Sequence, residues 1–198
     1  MGTPAAKLLS GLRAEVVAGY LSAPATQVAE ILDGELSLQP RPGRRHTRAA
    51  SRLGMTLGGP FDLGTGGPGG WVILDEPELW LGPRPDIVVP DLGGWRRERM
   101  PDALEDESGE THYAVAPDWV CEVVSTRTEA IDRGSKRRIY RREGVGHLWL
   151  LLPESRTLEV YRLEGGAWRE LETYEGAATV RAPPFEAAEM DLSVLWAG

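Results

Sequence analysis

The sequence predicts an α/β (α+β) fold: a mixed central sheet flanked by helices, with an N-terminal helix-strand segment and a C-terminal hairpin. Three observations predict it. Two short β-rich apolar runs, PDIVV at 85–89 and WVCEVVS at 119–125, each carry one carboxylate, Asp86 and Glu122. Two segments of helical periodicity, 46–57 and 128–143, lie among such runs. A buried-strand candidate, HLWLLL at 147–152, and two strand-like runs around Gly165-Gly166 follow the second helix. Strands alternating with helices, then strands in succession, is the order of a mixed sheet.

Each element has a local cause. Residues 1–24 read as a leader, weakly ordered or a short helix, and residues 25–198 as one domain, as 198 residues favour. Pro24 to Leu32 is expected as a helix start, with Pro24 in its first turn. Asp33-Gly34 is a turn signal, and Glu35 to Leu38 alternates like a strand. His46 to Leu57 places Ala49, Ala50, Leu53 and Leu57 on one helical face, and Gly58, Gly59 and Pro60 end it. The glycine-rich stretch 64–70 lacks a following Lys-Ser/Thr or a helix, so it is a turn rather than a phosphate loop. Trp71 to Leu74, Glu78 to Leu81, Pro85 to Val89 and Trp119 to Ser125 are strand candidates. Gly93 to Pro117 is polar and without period, which predicts a long surface excursion. Thr128 to Glu143 is a helix closed by Gly144. Thr157 to Leu163 and Ala167 to Glu172 form a hairpin, and Leu192 to Trp196 is expected to pack on the body.

Hydrophobic residues at 41% and charged residues at 26% fit a globular chain with one core. Its one cysteine, Cys121, excludes an internal disulfide. The start lacks a basic region followed by an apolar stretch, and the longest apolar run is too short to span a bilayer. The cytoplasm is the expected compartment, with no membrane partner. The net charge of −8 argues against a general nucleic-acid binder. The charge is unevenly spread, however. Arg41, Arg44, Arg45, Arg48 and Arg52 fall in one acid-free stretch, and Arg127 to Arg142 is a second basic stretch. Acids gather at Asp102, Glu105, Asp106, Glu107 and Glu110. These are two solvated helix faces or a locally basic surface on an acidic protein.

A carboxylate inside an apolar strand is costly unless it is paired or holds a metal. Two such strands side by side bring Asp86 and Glu122 together, and hard oxygen donors select Mg²⁺ or Mn²⁺. The competing reading places both at strand ends, facing water or an arginine. Lys136 pairs with Asp132 at i, i+4 on the next helix. It either serves that surface pair or reaches the metal site to polarise water or offset charge on phosphorus.

The residues PDIVV, APDWVCEVVS at 116–125 and DRGSKRRIYRREGVGHLWLLLP at 132–153 resemble the Uma-type family of restriction endonucleases, a branch of the PD-(D/E)XK nuclease-like fold. EILDGEL at 30–36, His46 opening a helix, LEVYRLEGGAW and APPFEAAEMDLSVLW extend the resemblance over nearly the whole chain from about Ala25. It implies a restriction-endonuclease-like core of one helix, three strands, a helix and a fourth strand, with Mg²⁺-dependent phosphodiester hydrolysis in DNA. The metal aspartate falls on Asp86 and the glutamate on Glu122. The lysine wanted two residues later is replaced by Val124, and Lys136 stands in for it. His46 replaces a first-helix acid and either joins the site or caps and packs. Glu35 is a weaker candidate. Asp91 is set aside because Pro90 separates it from its strand. The same residues admit a non-catalytic module of this fold that binds nucleic acid or a protein partner, or an unrelated α/β protein. Trp149 and the hairpin carrying Tyr161 and Trp168 offer a face for a homodimer.

Overall fold

In the computed structural model, residues 9–100 and 111–196 are described. The acidic run Asp102 to Glu110 and residues 1–8 of the expected leader lie outside them. Helix α1 (Ala14–Leu21) falls within that leader and packs its Val16 against Ile31 and Trp80. Residues Gln27–Leu32 form strand β1, not the expected helix. The reason is the turn that follows. Asp33 and Gly34 both take positive φ, 53° and 80°, the geometry of a two-residue hairpin turn. Such a turn requires a strand on each side, so β1 pairs antiparallel with β2 (Glu35–Pro40). Strands β4 (Leu79–Leu81) and β5 (Asp86–Val88) complete a four-stranded sheet in the order β2-β1-β5-β4.

The central sheet has six strands, ordered β10-β9-β8-β7-β6-β3. Its members are β3 (Trp71–Asp75), β6 (Leu92–Arg96), β7 (Trp119–Val123), β8 (His147–Leu152), β9 (Thr157–Glu164) and β10 (Ala167–Glu175). β7 and β8 pair in parallel and the other neighbours antiparallel, so the sheet is mixed. A parallel neighbour requires a crossover. Helix α3 supplies it, running through Glu129–Ile131, a π-helical turn Asp132–Lys136, and Arg137–Arg142. All of β6 but Leu92 falls inside the expected surface excursion, and it pairs with both β3 and β7. β11 (Thr179–Val180) and β12 (Met190–Asp191) pair apart from these sheets.

Helix α2 (Arg44–Leu57) continues into a π-helical turn, Gly58–Asp62, past the expected stop. Its Ala49, Ala50, Leu53 and Leu57 pack on Trp119, Cys121 and Val123 of β7. Val120 and Val124 face the opposite way, onto Ile139 and Tyr140 of α3. β7 is therefore covered on both sides, and strand alternation puts Glu122 on the α3 side. Helix α4 (Ser193–Trp196) buries Leu195 against the same apolar layer as α2. Of the aromatic residues expected to face a twin subunit, Trp149 and Tyr161 lie in the core and Trp168 is half-buried. The Trp149 indole donates to the Pro183 carbonyl, and the Trp168 indole donates to that of Arg137. Among the described residues, no helix is long and apolar enough to cross a membrane.

Candidate metal centre

Four elements deliver polar side chains to one cavity of about 500 Å³. β1 brings Glu30, the chain just past β5 brings Asp91, β7 brings Glu122, and α3 brings Asp132 and Lys136. The first turn of α2 adds His46. At 100° per residue His46 falls on the same side of α2 as Ala50, Leu53 and Leu57, so it faces inward.

Lys136 is the hub. It is only 6% exposed, and its Nζ lies 3.0 Å from Glu30 Oε1, 3.2 Å from Glu122 Oε2 and 4.0 Å from Asp132 Oδ1. It also donates to the Val89 carbonyl at 2.9 Å. Glu122 accepts a second hydrogen bond on Oε1, from the Tyr140 hydroxyl at 2.5 Å. Glu30 Oε1 accepts from the Val89 amide at 2.8 Å. Asp91 is braced on both oxygens: Oδ1 lies 2.5 Å from His46 Nε2, and Oδ2 accepts from the Val123 amide at 2.7 Å. Asp91 is thus tied to the residue next to Glu122.

The electrostatics follow from burial. Desolvation pushes the Glu122 carboxyl well above the carboxylate range; Lys136 opposes this, while Asp132 and Asp91 add to it. Asp132 is pushed up to about 6, chiefly by burial, against the pull of Lys136. Burial alone disfavours the Lys136 ammonium, but the charges of Glu122, Glu30, Asp132 and Asp91 outweigh it and hold the group protonated. Tyr140 is held well above its ordinary value by burial and by Glu122, and so remains a donor.

The donor chemistry fits a hard divalent cation. Glu30, Asp91, Glu122 and Asp132 offer carboxyl groups around the Lys136 ammonium, and hard oxygen donors of that kind suit Mg²⁺ or Mn²⁺. Among the described residues no three His, Cys, Asp or Glu side chains are already gathered as a metal cluster. Lys136 stands between two of the carboxylates and holds them.

Of the expected site residues, Glu122, Lys136 and His46 meet at this cavity, and Asp86 does not. Asp86 lines a separate cavity with Asp33 and Arg142. Its Oδ1 accepts from the Asp33 amide at 2.5 Å, and its Oδ2 is ion-paired to Arg142. The alternative of a strand-end carboxylate facing an arginine therefore describes Asp86, while Asp91 takes the place in the cavity. Pro90 does separate Asp91 from β5, which ends at Val88, yet the Asp91 carboxyl still reaches the Val123 amide of β7. Glu35 is exposed and pairs with Arg13 at 2.5 Å. Glu30, Asp91 and Tyr140 are site residues that the sequence reading misses, and it gives Asp132 only as a surface partner. Glu30 is legible through the hairpin turn, which makes β1 a strand with a buried acid. Tyr140 is legible from its four-residue spacing from Lys136 on one helix face.

No curated protein matches the chain. A crystal structure from Anabaena variabilis, titled a "putative nuclease belonging to DUF820", superposes with a TM-score of 0.70 at 22% identity. The match covers 89% of this chain and 94% of that one, and it shows the shared fold. A family model described as "Uma2: Putative restriction endonuclease" matches residues 17–194. The chain belongs to the Uma2 family of restriction-endonuclease-like proteins.

Proposed function

We propose that this chain is a metal-dependent endonuclease that hydrolyses phosphodiester bonds in DNA. The observation that carries it is the group of carboxyl side chains, Glu30, Asp91, Glu122 and Asp132, gathered around Lys136 in one cavity. Asp91 and Glu122 are the residues to hold Mg²⁺ or Mn²⁺. Such an ion supplies Lewis acidity and lowers the pKa of a bound water.

This chain's own residues do the rest. The Tyr140 hydroxyl fixes one Glu122 oxygen and leaves the other directed at the Lys136 side. The Val123 amide and His46 fix Asp91. Lys136 puts a permanent positive charge where the phosphorus gains negative charge as water attacks and the P–O bond breaks. His46, on the wall of the cavity, is placed to hold or accept a proton.

Supercoiled plasmid incubated with Mg²⁺ or Mn²⁺ should be nicked by the wild type. Glu122→Gln, which keeps the shape, should lose at least about 100-fold in rate, since even outer residues of metal sites cost 10–100-fold. Full activity in that variant contradicts the assignment. Neither cleavage nor metal binding in the wild type favours the non-catalytic module of the same fold.

A further inference from the structure

Beside the acidic cavity runs a groove of about 1070 Å³ along the outer face of α2. Arg44, Arg45, Arg48 and Arg52 line it from the helix, and Arg156 lines it from the β8–β9 turn. Among the described residues, Glu154 is the one acid in its lining. In a protein of net charge −8, this is a concentrated positive strip.

The strip is built into the helix. At 100° per residue the four arginines fall within an arc of about 100°, opposite the face that buries Leu53 and Leu57. Arg44, Arg45, Arg48 and Arg156 are exposed. Among the described residues, no carboxylate is in ion-pair contact with Arg44, Arg45 or Arg156. Arg52 donates to the Val194 carbonyl, which positions its guanidinium without neutralising it. Pro42, Arg44, Arg45 and Glu154 line both the groove and the acidic cavity, so the strip leads into the candidate metal centre.

We propose that this groove is the track for the phosphate backbone of duplex DNA, an inference that rests on the nuclease reading and names how its substrate is held. From Arg44 to Arg52 the helix rises about 12 Å. One DNA strand advances about 3.4 Å per nucleotide, so the strip spans about three to four phosphates. Guanidinium groups match phosphate oxygens in a two-pronged geometry. A duplex is favoured over a single strand because, among the described residues, the lining offers one aromatic ring and that ring is half-buried. It belongs to Trp196, whose indole N–H is bonded to the Gly176 carbonyl. The interactions are with the backbone, so they confer affinity and register without sequence preference.

The test is fluorescence anisotropy with a 30-base-pair duplex over a KCl series, in EDTA to prevent cleavage. The variant Arg44→Ala/Arg45→Ala/Arg156→Ala should lower the slope of log K against log salt by about 3, near one unit for each phosphate no longer neutralised. The corresponding triple lysine variant should restore most of the slope, which separates charge loss from misfolding. An unchanged slope in the alanine variant, no duplex binding by the wild type, or tighter arginine-dependent binding of a single strand of equal length overturns the track. The nuclease reading is judged separately by adding Mg²⁺ or Mn²⁺ to the same preparations. Wild type that binds through these arginines but never cuts overturns that reading and leaves the track. Wild type that cuts, with the alanine variant binding undiminished, does the reverse.

Discussion

Asp86 opens the short strand β5 and Asp91 lies just past its end, and their surroundings give them different work. Asp86 meets a half-exposed arginine and a backbone amide, which satisfy both its oxygens. Its removal should cost stability of about 2–3 kcal/mol, the scale of a charged hydrogen bond, while metal binding persists. Urea unfolding of Asp86→Ala checks this, and an unchanged midpoint contradicts it. Asp132 shows the opposite cost, since it is buried among other acids. Its folded pKa of about 6 exceeds the ordinary 3.8. The folded state therefore binds a proton that the unfolded chain has released between about pH 4 and 6. The stability from this proton is full below the ordinary value and is lost as pH rises through about 6. In EDTA, Asp132→Asn should gain on the wild type in melting temperature from pH 4.5 to 7.5; parallel curves would argue against burial as the cause.

At the scale of elements, β6 and α3 carry the lessons. β6 contains Gly93-Gly94, a pair that reads as loop because glycine weakens strands. The structure uses it for close packing: a Cβ at Gly94 would come 2.9 Å from the Trp119 ring, and one at Gly93 would come 2.9 Å from Pro77. Gly94→Ala should destabilise by about 1–3 kcal/mol through overpacking, as thermal unfolding would show. In α3 the π-helical turn carries both Asp132 and Lys136, a distortion common at functional sites. Gly134 lies in it with ordinary φ, and a Cβ there meets nothing nearer than Arg138 Nη1 at 3.9 Å. Gly134→Ala should be neutral or stabilising by up to about 1 kcal/mol. The sequence is most legible where pattern and burial agree: α2, β7, α3, β8 and the β9–β10 hairpin. It misleads at β1, where the helix formers of QVAEIL outvote the hairpin turn that follows. Glu122 and Lys136 are readable as an acid in an apolar strand and a cation on the next helix. The exchange of Asp86 for Asp91 is not, because which acid meets an arginine depends on Arg142 of α3 reaching the start of β5, a tertiary fact.

Across the whole molecule, charge is sorted rather than balanced. A cavity that gathers carboxyl groups around Lys136 adjoins an arginine groove, and the net charge of −8 hides both. The mixed sheet and the β7–α3–β8 crossover hold the pocket together, with α2 contributing His46 inward and its arginines outward. The central claim is that Asp91 and Glu122, and not Asp86, hold the metal. Calorimetric titration of Mn²⁺ into the wild type, Asp91→Asn, Glu122→Gln and Asp86→Ala tests it most directly. Binding in the wild type and Asp86→Ala, and its loss in the other two, is the predicted result. Binding that survives Asp91→Asn but disappears in Asp86→Ala would contradict the account.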